Sequence, residues 1–350
     1  MKRQNKIKIF SVIAVLLILC ILAGMYLKNK KAKEAFQTKS ETASQTQTET
    51  ASETSNELDD LLWHKIRLKK KKYKYSTDYE TYLFMGTDGS GNEDADRDEY
   101  VGNMADFMML AIVNRKEQTY AFLQLNRDTM TEINLIGKDG KGVATAEMQL
   151  CTAHWYGGTK EESCENTVKA VSKLLGGVTI DGYYAINMED IGKLNHAVGG
   201  VTVTIDSDFG DTDPSLKEGE TVTLSDEQAY SFLRYRMGVD DGENTSRMKR
   251  HRQYMEAFLQ KVKEMTKQDP QSGVEIYNQL SEVCTTNMSG GLLADILTDM
   301  QGATDRGIFQ MEGETKVGQH LDDGLPHTEF FLNKTTIVKE LQSLYNIVDM

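Results

Sequence analysis

The strongest pattern in this chain is an almost unbroken run of apolar residues close to its start, at positions 9–27. At a rise of about 1.5 Å per residue, a helix of this length measures about 28 Å and nearly spans the apolar core of a bilayer. We therefore predict a transmembrane helix. A cleaved signal peptide is the alternative, but the run is longer than is usual for one, and Ala23-Gly24-Met25 is a poor cleavage site.

The segments on either side of this run set the predicted domain organisation. Basic residues flank it equally and do not fix its orientation; we favour a short cytoplasmic tail, with residues 1–33 as tail and anchor. Positions 34–56 consist almost wholly of Ser, Thr, Glu, Gln and Ala, and we expect a disordered stalk there. A lysine-rich leader follows, either resting on an anionic membrane surface or solvated. Stalk and leader together occupy residues 34–77, and we expect residues 78–350 to form one domain outside the cell.

In this outer part, short apolar runs alternate with helical patterns. Three runs are brief and bounded by Gly, Asp or Asn, which is typical of buried strands. They lie at 81–85, 107–113 and 120–125. Helical patterns follow at 162–175, 189–197, 226–234 and 247–267, with further strands at 183–187 and 201–205. This alternation predicts an α/β fold, a three-layer α/β/α domain with a central mixed sheet.

The charge of the chain excludes one class of function. The net charge is −13, although the flanks of the apolar run are basic, so the outer domain is strongly acidic. Such a domain repels the phosphate backbone, which argues against a nucleic-acid partner. The predicted cytoplasmic tail is also too short to hold a DNA-binding domain.

The cysteines predict one covalent link. Cys151 and Cys164 bracket a short polar segment rich in glycine, and outside the cell thiols tend to oxidise, so we expect a disulfide between them. Cys284 would then stay free. The chain has no pair of Cys or His residues with zinc-binding spacing.

A cluster of arginines is the main candidate for a binding site. Arg234 and Arg236 are followed, after a short loop and the start of a helix, by Arg247 and Arg250. Guanidiniums brought this close repel one another, so a folded domain tolerates them mainly when an anion such as phosphate or pyrophosphate completes the set. The alternative is a solvated surface on which each arginine pairs with a neighbouring carboxylate.

Polar residues at predicted strand ends form a second candidate group. Asp88 and the pair Arg127-Asp128 follow two strands, while Asp106 directly precedes a third. Ligands of α/β sheets bind at loops just beyond strand ends. We therefore expect these four residues to converge.

With these motifs in order, the chain resembles the LytR-CpsA-Psr family of bacterial envelope proteins. The resemblance covers roughly residues 79–260, with a weaker continuation towards the end, and the predicted anchor and stalk agree with it. The motifs that carry it are Gly86-Thr87-Asp88, Asn126-Arg127-Asp128-Thr129, Val198-Gly199-Gly200-Val201, and Arg234-Tyr235-Arg236 followed by Arg247, Arg250 and Gln253.

The resemblance implies a transferase that takes an anionic glycopolymer from a polyprenyl-pyrophosphate carrier and joins it to a sugar hydroxyl of peptidoglycan. The carrier lipid would enter an apolar slot between the sheet and its helices. The pyrophosphate-binding arginines of the family fall on Arg127, Arg234, Arg236 and Arg247, and we add Arg250 from the cluster above.

The same resemblance places the metal-associated aspartates on Asp88 and Asp106, whose hard oxygen ligands suit Mg²⁺ or Mn²⁺. Together with Arg127 and Asp128 they form the predicted catalytic group. Asp128 would orient Arg127 or accept the proton of the incoming hydroxyl; capping the following turn is the alternative.

The chain departs from the family pattern at two positions. Met104 stands where an arginine is common, and His251 stands where a glutamine usually follows the last helix arginine. Arg97 or Arg252 would have to substitute for the missing arginine. Two rival functions therefore remain: an envelope protein that binds lipid-linked pyrophosphate or wall polymer without catalysis, and a hydrolase that uses water in place of the sugar hydroxyl.

Overall fold

The computed structural model describes residues 61–88, 103–136, 141–269, 271–320 and 325–350. Its strands, numbered in chain order, are β1 (Trp63–Leu68), β2 (Lys71–Ser76), β3 (Tyr79–Thr87), β4 (Ala105–Asn114), β5 (Thr119–Leu125), β6 (Met130–Ile136), β7 (Gly142–Gln149), β8 (Gly182–Asn187), β9 (Thr202–Thr204), β10 (Thr221–Thr223), β11 (Cys284–Thr286), β12 (Thr304–Gln310), β13 (Gly313–Gly318), β14 (His327–Leu332) and β15 (Val348–Asp349). The helices are α1 (Lys160–Leu174), α2 (Ile191–Ala197), α3 (Asp226–Arg234), α4 (Asn244–Gln268), α5 (Gln271–Ser281), α6 (Gly290–Gly302) and α7 (Ile337–Tyr345), with short 3-10 helices at Leu150–Trp155 and Met188–Asp190.

The central sheet contains six of these strands in the order β11-β8-β3-β4-β5-β12. β4 lies antiparallel between β3 and β5, whereas β3 pairs with β8 and β5 pairs with β12 in parallel. The sheet is therefore mixed, as predicted. Its central strands are the three apolar runs of the sequence, because strands buried on both faces need apolar residues at successive positions.

Both faces of the sheet are covered by helices. On one face, Leu83, Leu110 and Leu123 pack into a core shared with α1, α7 and the small sheet of β1, β2 and β15. On the other face, Met109 and Phe122 pack against residues of α2 to α6. A fully buried leucine contributes about 1.5–3 kcal/mol through removal from water, so the two cores carry much of the stability of the domain.

Helix α3 has clear start and stop signals, and they place a site residue. The side chain of Ser225 accepts a hydrogen bond from the backbone N–H of Gln228, and the Gln228 side-chain oxygen accepts one from the backbone N–H of Ser225. This capping box fixes the first turn. The helix ends at Arg234 because Tyr235 is extended. A cation at a helix C-terminus is favoured by the helix dipole.

The predicted leader is wrong for residues 63–76, which form the antiparallel hairpin β1-β2 of the folded unit. Ile66 and Leu68 on β1, and Tyr73 and Tyr75 on β2, are buried while the intervening lysines and Arg67 point outward. This alternation has the period of a half-buried strand, but the run of lysines obscured it. The folded unit begins at Leu61 rather than at residue 78.

The predicted anchor at 9–27 and the stalk at 34–56 lie outside the described residues. Within the part of the chain that the structure does describe, no helix is both long and apolar enough to cross a bilayer.

Candidate functional site

Three predicted site residues lie at one edge of the central sheet because neighbouring strands run in opposite directions. β3 ends at Thr87, which pairs with Ala105 at the start of β4. β5 returns antiparallel to β4 and ends at the same edge. Asp88 follows β3, Asp106 is the second residue of β4, and Arg127 follows β5. The three residues therefore meet at this end of the sheet, as predicted for loops just beyond strand ends.

Asp106 is the centre of this group. Its Oδ1 atom lies 2.6 Å from Nη1 of Arg127, and its Oδ2 atom accepts a hydrogen bond of 2.9 Å from Nη1 of Arg247. Burial alone would raise the pKa of Asp106, but the charges of these two arginines outweigh it and hold the pKa below its usual range. Asp106 is therefore ionised at neutral pH.

Arg247 lies in the first turn of α4 and is 2% exposed. Its Nη2 atom donates to Oδ1 of Asn244 at 3.1 Å, while its Nε atom has no hydrogen-bond partner among the described residues. Burial lowers the pKa of Arg247, and the nearby charge of Arg127 acts in the same direction. Two buried guanidiniums thus share one carboxylate, an arrangement that is costly unless further negative charge is supplied.

At the more open side of the group, Arg234 reaches back from the end of α3 to Asp88. Nη2 of Arg234 and Oδ1 of Asp88 are 2.7 Å apart, within ion-pair distance but without hydrogen-bond geometry, and each side chain is 33% exposed. Burial raises the pKa of Asp88, and the charge of Asp106 raises it further. The two aspartates are therefore close enough to repel each other.

Arg236 and Asp128 complete the group. Arg236 has no ion pair among the described residues, yet its charge acts on both Asp128 and Arg247. Asp128 is 3% exposed; its Oδ1 lies 3.4 Å from Nε of Arg127, and its Oδ2 has no hydrogen-bond partner in the described chain. Burial raises the pKa of Asp128 despite the surrounding arginines.

We refer to these side chains together as the arginine–carboxylate cluster, which consists of Asp88, Asp106, Arg127, Asp128, Arg234, Arg236 and Arg247. Four guanidiniums face three carboxylates, and the Nε atoms of Arg127 and Arg247, as well as one oxygen of each carboxylate, lack hydrogen bonds within the described residues. Unfilled donors and excess positive charge in a buried setting are the requirements of an anion-binding site. The cluster can hold a phosphate or pyrophosphate group.

Arg250 does not join the cluster in the described structure. It is 1% exposed, its Nε donates to the carbonyl of Phe232 at 2.9 Å, and its Nη2 donates to the carbonyl of Tyr235. Nη1 lies 3.5 Å from a carboxylate oxygen of Asp240, and the guanidinium lies over the ring of Phe209. These contacts hold the segment that follows α3, so they favour a supporting role over the predicted pyrophosphate contact.

An apolar cavity of about 170 Å³ opens beside the cluster, between the sheet and helices α4, α5 and α6. Its walls include Gly86 and Phe107, which are close in sequence to the two aspartates, Leu233, which precedes Arg234, and His251, one helical turn after Arg247. A Cβ atom at Gly86 would lie 3.1 Å from Cβ of Phe107, so a glycine keeps this passage open. We call this space the apolar cavity; it matches the slot expected from the resemblance.

The two departures from the family pattern have clear contacts. Met104 places its sulfur 2.8 Å from Nη2 of Arg127. His251 is fully buried, which lowers its pKa to about 3, and its Nε2 must carry the proton because it donates to the carbonyl of Leu233 at 2.9 Å. Arg252 points instead to Oε1 of Gln124 at 2.7 Å, and Arg97 lies outside the described residues.

The predicted disulfide is wrong, since both cysteines are free. Cys151, in the 3-10 helix after β7, faces Arg127, whose Nη2 lies 3.0 Å from the sulfur. Cys164, on α1, faces Nε2 of His154 at 3.7 Å. The two thiols point into different surroundings, which the length of the intervening segment cannot reveal. Burial raises the pKa of Cys151 to about 11 and that of Cys164 to about 12, so both are protonated thiols.

Several neighbours of the cluster were not predicted. Asn126 accepts a hydrogen bond of 3.1 Å from Asn244, which ties the end of β5 to the start of α4. The backbone N–H of Phe330 on β14 donates to the carbonyl of Asp128 at 2.8 Å. An amide side chain next to Arg127 was a local signal for the first contact. The second joins residues about 200 positions apart, and no sequence pattern indicates it.

The cluster has a restricted capacity for metal. Within the described chain, no group of three or more His, Cys, Asp or Glu side chains is arranged to hold a metal ion. Asp88 and Asp106 nevertheless form a close pair of like charges, which a hard divalent cation would stabilise with solvent or ligand oxygens completing its coordination.

Known proteins are similar to this chain in sequence and in fold. The sequence model of the LytR_cpsA_psr family matches residues 25–343. A relative from Bacillus licheniformis, the polyisoprenyl-teichoic acid–peptidoglycan teichoic acid transferase TagU, is 26% identical over 274 residues, which are 74% of this chain and 78% of that protein. TagU of Bacillus mycoides is 30% identical over 219 residues, 63% of this chain and 62% of that protein.

A solved structure shows the same fold. The crystal structure of protein gbs0355 from Streptococcus agalactiae superposes with a TM-score of 0.60 at 24% identity, over 78% of this chain and 89% of that one.

Proposed function

The chain belongs to the LytR-CpsA-Psr family, and from this membership and the geometry of the arginine–carboxylate cluster we propose that it is a phosphotransferase of cell-wall assembly. Its donor is an anionic glycopolymer linked to a polyprenyl-pyrophosphate carrier, and its acceptor is a sugar hydroxyl of peptidoglycan. The names of the Bacillus relatives, which act between polyisoprenyl-linked teichoic acid and peptidoglycan, support this assignment. The observation that supports it is a cluster of buried arginines and carboxylates next to an apolar cavity.

The donor pyrophosphate binds the arginines of the cluster. Arg127 and Arg247 are held in place by Asp106, so their remaining donors are oriented before the donor arrives. Arg234 and Arg236 supply positive charge from the segment after α3. Phosphoryl transfer requires mainly positioning and neutralisation of the phosphate oxygens, which guanidiniums provide.

The acceptor hydroxyl attacks the phosphorus atom next to the glycopolymer. The new bond joins the acceptor oxygen to that phosphorus, the bond to the bridging oxygen of the pyrophosphate breaks, and polyprenyl phosphate leaves. Asp128 accepts the hydroxyl proton through Oδ2, the oxygen without a hydrogen bond in the described chain. The raised pKa of Asp128 makes it a stronger base than an exposed aspartate.

Asp88 and Asp106 are the residues that would hold a magnesium or manganese ion. When bound, such an ion would neutralise charge on the pyrophosphate oxygens. The aspartates themselves orient Arg234, Arg127 and Arg247.

The carrier lipid occupies the apolar cavity. Because about 170 Å³ is smaller than most ligand pockets, only part of a long prenyl chain fits inside the apolar cavity. The N-terminal apolar run would anchor the protein in the same membrane by a single span, with the catalytic domain outside the cell.

The test uses the full chain in liposomes with a polyprenyl-pyrophosphate-linked glycopolymer and purified peptidoglycan. We expect covalent attachment of the polymer to peptidoglycan, with release of polyprenyl phosphate. Asp128→Asn should lower the rate by about 100-fold or more, whereas Asp349→Asn, an exposed aspartate on β15, should not change it. Absence of attachment under conditions where the donor binds would refute the assignment.

One observation favours a second function. Met104 contacts Arg127 at a position where the family commonly has an arginine, so the chain could bind the pyrophosphate without turning it over. A binding protein would retain the donor intact with or without peptidoglycan. A hydrolase would release polyprenyl phosphate without acceptor and attach no polymer.

A further inference from the structure

A second depression lies close to the arginine–carboxylate cluster, since Asn126 in its wall directly precedes Arg127. This polar cleft has a volume of about 750 Å³ and lies between the start of α4 and the hairpin β13-β14. Its walls include Asn126, Thr245, Gln310, Phe330 and Phe331. The volume is within the range of about 300–1,000 Å³ that is usual for ligand sites.

The polar cleft shares its wall with the reacting groups. Asn126 directly precedes Arg127 and is bonded to Asn244 at the start of α4. In the first turn of α4, Arg247 faces Asp106 while Thr245 lines the polar cleft. A ligand in the polar cleft would therefore lie across a single helical turn from the bound pyrophosphate.

The far wall is tied to the proposed base. The N–H of Phe330 donates to the carbonyl of Asp128 at 2.8 Å, and Thr129 forms a parallel bridge with Phe330. The side chain of Phe330 lines the polar cleft. The hairpin thus connects the polar cleft to the loop that carries Asp128.

A partition separates the polar cleft from the apolar cavity. Both spaces lie along the same face of β5: Phe122 lines the apolar cavity, and Gln124, two residues on, lines the polar cleft. Gln124 is 1% exposed, and its side chain donates to the carbonyl of Met248 at 3.0 Å and accepts from Arg252. The lipid-binding space and the polar cleft are therefore distinct.

The chemistry of the polar cleft fits an uncharged sugar. Asn126 and Gln310 carry amides, which donate and accept hydrogen bonds as sugar hydroxyls do. Phe330 and Phe331 add apolar surface to the wall, from side chains that point to opposite faces of β14; Nζ of Lys316 lies 5.3 Å from the centre of the Phe331 ring. The ionisable groups of the wall are Glu312, Glu314 and Lys334, so the polar cleft lacks the positive excess that a polyanion requires.

From this arrangement we infer that the polar cleft binds the acceptor: a hydroxyl-bearing glycan strand whose sugar enters between Gln310 and Phe331 and presents its hydroxyl towards Asp128. This inference rests on the proposed transfer function, because it assigns the acceptor of that reaction. The polar cleft disfavours the anionic donor polymer, because two acidic residues of its wall, Glu312 and Glu314, outnumber the one basic residue, Lys334.

The test compares Gln310→Ala and Phe331→Ala with wild-type full chain in liposomes. We expect the KM for peptidoglycan to rise about tenfold in each variant, equivalent to about 1.4 kcal/mol of binding, while the KM for the lipid-linked donor changes less than twofold. Phe331→Tyr keeps the ring face and should restore the acceptor KM. Val317→Ala is the matched control, since Val317 is on the same hairpin, 75% exposed and outside the polar cleft.

A second measurement does not depend on catalysis. Titration with glycan oligomers prepared from peptidoglycan should show saturable binding to the wild type and about tenfold weaker binding to Gln310→Ala, an exposed position on β12 whose amide also donates to Oε1 of Gln124 at 3.1 Å. Binding without transfer would support the polar cleft and refute the transferase assignment. Transfer with an unchanged acceptor KM in both variants, or an equal rise in the donor KM, would overturn the acceptor site.

Discussion

Two arginines one turn apart on α4 are equally buried but have opposite surroundings. Arg247 is 2% exposed and Arg250 is 1% exposed. Around Arg250, side chains donate hydrogen bonds to the backbone carbonyl groups at the end of α3. Arg250 donates to the carbonyls of Phe232 and Tyr235, and His251 donates to the carbonyl of Leu233. These are the carbonyls that a helix end leaves without partners. This region is complete in the protein alone.

The region around Arg247, by contrast, contains buried polar atoms without hydrogen-bond partners among the described residues. Arg247 shares Asp106 with Arg127, and the Nε atoms of both arginines lack hydrogen bonds within the described residues. Buried polar groups are almost always satisfied in folded proteins, so unfilled donors beside a like charge indicate a missing ligand. Burial of an arginine is therefore not evidence of binding, whereas unfilled donors are.

The largest effect should follow from Arg247→Ala. We expect transfer to fall about 100- to 1,000-fold, the usual cost of removing one preorganised donor to a transition-state anion. Asp106 keeps Arg127 as a partner, so the melting temperature should fall by only a few degrees. Turnover and thermal unfolding measured on one preparation check both statements, with Lys249→Ala as the exposed control on the same helix. Full transfer by Arg247→Ala would remove the distinction between the two arginines.

Arg250→Ala should lower the stability of the fold and leave most of the transfer activity. It leaves the carbonyls of Phe232 and Tyr235 without donors, and we expect a loss of about 3 kcal/mol in the free energy of unfolding. The folded fraction should keep transfer within tenfold of wild type. Denaturant unfolding and specific activity below the melting temperature measure the two effects. A stable variant that loses transfer as Arg247→Ala does would reinstate Arg250 as a pyrophosphate ligand.

The sequence predicted the parts of this comparison that depend on local patterns. The apolar runs located β3, β4 and β5, and the helical pattern predicted α3 at 226–234, where the structure has it; the capping box of Ser225 and Gln228 fixes that start. The start of α4 was predicted three residues late. Its N-cap Glu243 makes no side-chain cap, so no local signal marks the first turn.

The sequence did not separate the roles of Arg247 and Arg250, because both occur in the same charged run. Their difference depends on which atoms lie opposite them: the carboxylate of Asp106, more than 100 residues away, or the nearby carbonyls of α3. The contact of β14 with Asp128 is likewise long-range. The orientations of the cysteines, which decided against the disulfide, also depend on tertiary packing.

A guanidinium added beside Arg127 should strengthen anion binding at the arginine–carboxylate cluster. Met104→Arg would place a further cation next to Arg127, where the methionine sulfur now lies. We expect inorganic pyrophosphate to bind about tenfold more tightly, because a charge-assisted hydrogen bond is gained and only part of it is offset by repulsion. Without ligand, the variant should unfold at a lower temperature than wild type. Calorimetric titration at two salt concentrations measures the affinity, with Met104→Leu as the control of similar size; equal affinities in all three proteins would show that residue 104 does not face the anion.

The smallest effect concerns the complete region around Arg250, where His251 can be replaced by the glutamine usual in the family. Burial lowers the pKa of His251 to about 3, whereas an unfolded histidine titrates near 6.5. As pH falls below about 6.5, the unfolded state binds a proton that the folded state does not bind, so His251 lowers the free energy of unfolding increasingly down to its folded pKa.

His251→Gln keeps a donor for the carbonyl of Leu233 and removes this titration. We expect similar stability at pH 8 and an advantage for the variant of about 1.4 kcal/mol at pH 5.5, relative to the difference at pH 8. Urea unfolding of both proteins at these two pH values measures it. A pH-independent difference between them would mean that His251 binds its proton equally well in the folded and unfolded states, so that the region around Arg250 is not the closed, neutral setting described above.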